Sequence, residues 1–198
     1  MTKTREQNII TKVSKRRKGF NFKTLESVII LAVEIAREGR EGRKIGTMFI
    51  VSDSDRVIRK SKSLILDPLG LHPAEARHID NPDLRETVKE LSQLDGAFIV
   101  SDDGVVLSAC RYINASSRGI RLPLGLGSRH VAAASITKQT KSIAVVVSES
   151  SVVRIFDRGS IVTEILPELW LLNRQGIHIN APFTTQKTES IAVACVKE

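Results

Sequence analysis

Apolar residues return every three or four positions from Phe22 to Glu38. Leu25, Val28, Ile29, Ala32, Val33, Ile35 and Ala36 fall on one side of a helix, which Gly39 and Gly42 then close. The period then changes. Residues 46–52, Gly-Thr-Met-Phe-Ile-Val-Ser, form a short continuous apolar run of strand length. A polar turn follows, and Arg56-Val57-Ile58 reads as the returning strand of a hairpin. The five residues Phe-Ile-Val-Ser-Asp occur at 49–53 and again at 98–102. Each copy is followed by a polar turn and a β-branched run, so the pattern predicts one hairpin unit used twice. A third unit runs from 142 to 165 and turns at Asp157-Arg158-Gly159-Ser160. Between the units lie helical stretches. Asn81-Pro82-Asp83 caps 84–94, with Leu84, Val88 and Leu91 on one face. Residues 131–137 are rich in alanine, and 167–174 open with Pro-Glu and carry Trp170. A last strand is expected at 191–196, with a loop before it. Hairpins alternating with helices predict an α/β fold, a central mixed β-sheet flanked by helices in a single domain. The runs 48–51, 97–100 and 143–147 suit its centre, where both faces are covered.

Composition adds a boundary. Lys3, Arg5, Lys12, Lys15, Arg16, Arg17 and Lys18 supply much of the net charge of +8. Residues 1–21 are therefore expected to be a basic extension, and 22–198 the folded domain. A basic arm invites a polyanion. With one Trp and one Tyr in the chain, stacking platforms for single strands are scarce, so nucleic acid is the lesser expectation. No run approaches the roughly 20 apolar residues of a membrane span. A cytoplasmic protein with no membrane partner is expected. Cys110 and Cys195 sit in apolar strand-like runs and read as buried thiols rather than a disulfide.

Candidate chemistry gathers at three places. The first is 122–137, where Gly125 and Gly127 form a loop, Ser128 reads as a helix N-cap, and Arg129 and His130 occupy the first turn. Cations oppose the helix dipole there, and a bound phosphate would account for them. The second is Asp95-Gly96-Ala97, a carboxylate opening a strand, followed by two small residues that let a ligand approach. Asp95 could hold a metal or accept a proton from a hydroxyl; a plain turn residue is the alternative. The third is Ser148-Glu149-Ser150 at a strand end, where Glu149 could bind a hard cation or stay solvated. Tyr112 could stack on a base or pack at an edge. His178 reads as a half-buried strand residue.

Asp95-Gly96-Ala97, Arg111-Tyr112, Gly127-Ser128-Arg129-His130 and Ser148-Glu149, in this order, resemble the diadenylate cyclase domain family. The DNA-integrity scanning protein shares that catalytic module. The likeness covers about residues 22–165. It implies condensation of two ATP molecules into cyclic di-AMP and two pyrophosphates with Mg²⁺ or Mn²⁺, across two facing protomers. By the same likeness Asp95 and Glu149 bind the metal, and Asp95 activates the 3′-hydroxyl. Gly127, Ser128, Arg129, His130, Ser148 and Glu149 hold the nucleotide, with Tyr112 near the adenine. The catalytic set is Asp95, Gly96, Ala97, Arg129 and His130. The chain departs from the family pattern at Val131, where many members carry a second Arg, and at Ser150, where many carry a second Glu. Leu94 stands where some have His. These departures leave one other reading, a nucleotide-sensing module of the same fold without turnover, and the Lys/Arg-rich first eighteen residues leave a second, a basic nucleic-acid-binding protein.

Overall fold

The computed structural model describes residues 20–64 and 66–167, with the backbone of strands 183–187 and 192–196. Helix α1 (Phe22–Glu38) starts at Asn21, whose side-chain oxygen accepts from the backbone N–H of Lys23 and Thr24 at 3.1 and 3.4 Å. The apolar stripe read from the sequence is the face it buries, joined by Leu31. Asn21 Nδ2 and Thr24 Oγ1 both donate to the Asp102 carbonyl, at 2.9 and 2.8 Å, which ties the helix start to the sheet.

The sheet has seven strands. They are β1 (Thr47–Val51), β2 (Ser61–Ser63), β3 (Ala97–Val100), β4 (Val106–Ile113), β5 (Ile143–Val147), β6 (Val153–Asp157) and β7 (Ser160–Ile165). Their spatial order is β2-β4-β3-β1-β5-β6-β7. β1 and β3 are parallel and every other pairing is antiparallel. The sheet is mixed and flanked by helices, as the element pattern implied. The three apolar runs are its centre, and every residue of β1, β3 and β5 is buried.

The repeated pentapeptide has a structural meaning. Its copies lie side by side in register, Phe49 against Phe98, Ile50 against Ile99 and Val51 against Val100. The two Phe rings stack with centroids 5.1 Å apart. The two copies lead into different elements. After 98–102 the chain makes the expected hairpin into β4. After 49–53 it makes helix α2 (Ser54–Arg59), not the expected returning strand. Both edges of β1 are already paired, with β3 and with β5, so no place remains for a hairpin partner. Val57 instead goes into the core beneath the sheet.

Helix α3 (Pro82–Leu91) is capped by Asn81, with Pro82 in its first turn, and ends three residues before the expected Leu94. Glu34 of α1 accepts from Arg85 at 2.9 Å and faces Lys89 at 3.3 Å, clamping α3 to α1. Helix α4 (Ser128–Gln139) lies on the opposite face. One core fills the space between α1, α3 and the sheet, around Phe49, Phe98 and Val145; a second lies between α2, α4 and the sheet, around Met48, Ile99 and Phe156. The result is three layers.

Beyond Pro167 the expected helix and its Trp170, together with His178, lie outside the described residues. The last strand is present as β9 (Ala192–Val196). It pairs antiparallel with β8 (Phe183–Lys187), in a stretch expected to be loop. Phe-Thr-Thr carries β-propensity but no alternation to signal it.

Candidate active site

β1 and β3 run in one direction and β5 in the other, with Thr47 opposite Val147 and Met48 opposite Ala97. The starts of β1 and β3 and the end of β5 therefore share one edge of the sheet. Asp95 precedes β3, Gly46 precedes β1 and Glu149 follows β5, so all three meet there. Helix α4 begins over the same edge and delivers Arg129. Ligands of open parallel sheets bind at the carboxyl ends of strands. Here the cluster sits at the amino ends of the parallel pair and the carboxyl end of antiparallel β5.

Arg129 joins the two carboxylates. Its guanidinium lies 3.3 Å from an Asp95 oxygen and 3.4 Å from a Glu149 oxygen. Both carboxylates are open to solvent, Asp95 at 89% side-chain exposure and Glu149 at 72%, while Arg129 is at 32%. Such exposed pairs contribute about 0–1 kcal/mol each to stability. The arrangement is an accessible charged cluster rather than a structural pin.

Gly46 makes the reach of Arg129 possible. A Cβ there would stand 2.8 Å from Arg129 Nη1 and 3.3 Å from Glu149 Cγ. In the sequence pattern Gly46 merely heads a strand. A glycine opening a run of strand-forming residues is the signal that something approaches the backbone closely. Gly46→Ala leaves the fold intact, because the colliding atoms are ends of flexible side chains, but turns Arg129 aside. Any activity of this site should fall by up to about 10²-fold, the scale of a 1 Å misplacement in a positioned site. Kinetics beside an unchanged circular dichroism spectrum checks this.

Ser128 is not the helix cap. Gly127 holds that position in extended backbone, and its carbonyl accepts from His130 N–H at 3.1 Å. No side chain caps α4. The first N–H groups of the helix are thus left without a side-chain acceptor, which favours an anion more than a capped helix would.

The His130 ring does not join the carboxylates. It is 6% exposed, with its centroid 6.1 Å from that of Phe156, and Arg154 Nη1 lies 3.3 Å from its Nε2. Burial first, then Arg154 and Arg129, hold its pKa below 6.5 despite Glu164. The unfolded chain therefore binds this proton more readily than the folded one. The stability from a neutral His130 is complete above pH 6.5 and is lost as pH falls below it. Melting temperatures between pH 7.5 and 5.5 should drop further for the native chain than for His130→Gln.

The remaining expected residues divide. Ser148 builds the β5–β6 turn: its hydroxyl accepts from Val152 N–H at 3.2 Å and pairs with the Ser150 hydroxyl at 2.7 Å. That turn presents Glu149. Ala97 is fully buried on the α4 side, so its smallness serves packing. Tyr112 is exposed on β4, one residue beyond the Arg111 that pairs with Ala97, with Lys62 Nζ 5.3 Å from its ring centroid. Gly127 has open space around its α-carbon. Cys110 is a free thiol pushed up in pKa by burial and by nearby Asp67.

Two carboxylates joined by one guanidinium beside an uncapped helix start offer charges of both signs to a ligand. Residues 34–161, well over half the chain, match the family described as DisA bacterial checkpoint controller nucleotide-binding. The chain belongs to the diadenylate cyclase domain family. Its relatives include a protein of Methanocaldococcus jannaschii named diadenylate cyclase, 47% identical over 76% of this chain and 48% of that protein. A Haloferax volcanii protein of the same name is 40% identical over 74% of this chain and 54% of its own length. The chain thus spans about half the length of these relatives. A crystal structure of a hypothetical membrane spanning protein from Bacillus cereus shares the fold, with a TM-score of 0.53 and 16% identity over 70% of this chain and 62% of that one. Among the described residues, no helix of this family member is long and apolar enough to cross a membrane.

Proposed function

We propose that this domain condenses two ATP molecules into cyclic di-AMP, releasing two pyrophosphates, with each of two facing protomers holding one nucleotide. The observation that carries the reading is the Asp95–Arg129–Glu149 cluster at the start of α4, within a chain whose relatives are named diadenylate cyclase.

The residues divide the work as phosphoryl transfer requires, by positioning and charge rather than by a covalent enzyme intermediate. Asp95, exposed beside β3, accepts the proton of the attacking 3′-hydroxyl. The hydroxyl oxygen bonds to the α-phosphorus of the partner's nucleotide as the bond to pyrophosphate breaks. Arg129 is neutralised by carboxylates in the free chain and exchanges them for phosphate oxygens, its planar fork matching two at once. The uncapped N–H groups at Ser128 and Arg129 donate to the same phosphates.

Asp95 and Glu149 fit a hard divalent cation. Both are exposed oxygen donors whose present counter-charge is a movable side chain, and Mg²⁺ or Mn²⁺ commonly sits on one or two carboxylates plus phosphate oxygens. A bound ion would offset charge on the departing pyrophosphate. Among the described residues no cluster of three or more His, Cys, Asp or Glu could hold a metal alone. The nucleotide's own oxygens would therefore complete the shell. The basic stretch from Lys3 to Lys18 is read as an appendage to this domain, which Phe20 and Asn21 already join, and a cytoplasmic, self-associating protein suits the reading.

Two facing half-sites make the rate depend on assembly. Initial rates measured against protein concentration should rise more steeply than linearly until the dimer saturates. Metal-dependent ATP consumption with strictly linear rates down to nanomolar protein would remove the facing-protomer arrangement.

A further inference from the structure

Arg154 of β6 lies outside every motif in the sequence, yet it reaches the one buried side chain of α4's first turn that carries chemistry. Its Nε ion-pairs with Glu164 on the neighbouring strand β7. Its Nη1 lies 3.3 Å from His130 Nε2. The Arg154 side chain is itself only 15% exposed. On the other side of the imidazole, Nδ1 is buried and has no hydrogen-bond partner.

The chemistry of these groups fixes the ring. A guanidinium can donate but not accept. His130 Nε2 must therefore be the acceptor, and in the neutral ring the proton sits on Nδ1. A buried N–H with no acceptor costs about 1–3 kcal/mol. The free chain thus keeps a donor unsatisfied at the uncapped start of α4, beside the site's arginine. The groups packed around the ring are Arg154 and Phe156 from β6, Glu164 through Arg154, and Arg129 from α4 itself. None but Glu164 is an acid, and its carboxylate is taken by Arg154.

We infer that the Glu164–Arg154 pair is a positioning device that locks His130 as the Nδ1–H tautomer and orients that N–H as a donor to a nucleotide phosphate. This rests on the reading of the site as a nucleotide site. Glu164 holds the guanidinium, the guanidinium holds Nε2, and Nδ1–H is left for the ligand. Arg154 touches neither substrate nor reacting atoms in this scheme, and acts through His130.

The test reads tautomer and turnover separately on the full chain. ¹⁵N spectra of the imidazoles, with His130 assigned by its loss in His130→Gln, should show a neutral ring protonated at Nδ1. Adding the α,β-methylene analogue of ATP should shift that nitrogen. Arg154→Met should release the ring to a tautomer mixture and lower kcat about 10- to 100-fold, by analogy with the partners that orient metal-bound histidines. Arg154→Lys, which still donates, should recover part of both, and it replaces the Met variant should that one fail to fold. Protonation at Nε2 in the native chain, or an unchanged tautomer and kcat in Arg154→Met, overturns the inference. A tautomer that follows Arg154 in a chain making no cyclic dinucleotide would support the positioning relation while removing the cyclase reading. Normal turnover with a tautomer indifferent to Arg154 would do the reverse.

Discussion

Asp95→Asn should all but stop product formation while leaving nucleotide binding in place. The amide keeps the shape of the side chain and an oxygen for Arg129, so the cluster at the sheet edge survives. It loses the negative charge that would accept the 3′-hydroxyl proton and draw a cation. Loss of a positioned base costs about 10²–10⁴-fold, and kcat should fall by roughly 10³-fold. ATP affinity, measured calorimetrically, should stay within about threefold, since the proposed phosphate contacts come from α4 and Arg129. Arg129→Ala should show the opposite balance, weakening binding as well as turnover. An Asp95→Asn chain with normal kcat would remove the carboxylate from the chemistry.

Gly96→Ala should produce the largest loss of stability. Gly96 has φ of +110°, a conformation that side chains rarely adopt. A Cβ there would lie 2.5 Å from the Cys110 carbonyl carbon and 2.7 Å from the Arg111 nitrogen. Unlike the atoms around Gly46, these belong to backbone, at the irregular register of β3 and β4 where Cys110 itself has φ of +53°. Strain and overpacking each cost about 1–3 kcal/mol, so a combined loss near 3 kcal/mol is expected. For a chain of this size that lowers the melting temperature by about 6–12 °C. A thermal melt checks it, and a change within 1–2 °C, which corresponds to well under 1 kcal/mol, would mean the β3–β4 irregularity relaxes freely. Gly96 thus lets β4 pass close behind Asp95.

Much of the fold could be read because its determinants are local. The stripe of α1, the Asn-Pro-Asp cap of α3 and the all-apolar strands each announce themselves within a dozen residues. The hairpin expected at Arg56–Ile58 failed for a non-local reason. Whether a β-branched run becomes a strand depends on whether an edge is free, and β5, nearly ninety residues on, occupies the edge of β1. The site was legible in the same uneven way. Asp95, Arg129 and Glu149 are charged residues at element ends, and they come together as their positions suggested. Gly46 and Arg154 were not visible. One acts by lacking a side chain and the other by reaching across from β6, and neither leaves a spacing signal. His130 was expected among the phosphate contacts. Its neighbour relation to Arg129 is plain in sequence, but helix geometry turns adjacent side chains to different faces, so its ring meets Arg154 of β6 rather than the carboxylates.

One reaction decides the central claim, and its product can be weighed. The purified chain is incubated with ATP and Mg²⁺ or Mn²⁺, and the mixture is resolved by mass spectrometry. The expected result is cyclic di-AMP with two pyrophosphates per product, none of either without divalent cation, and none from Asp95→Asn. ATP bound but recovered unchanged with both metals, by a folded and self-associated chain, would contradict it and leave a nucleotide-sensing domain built on the same sheet.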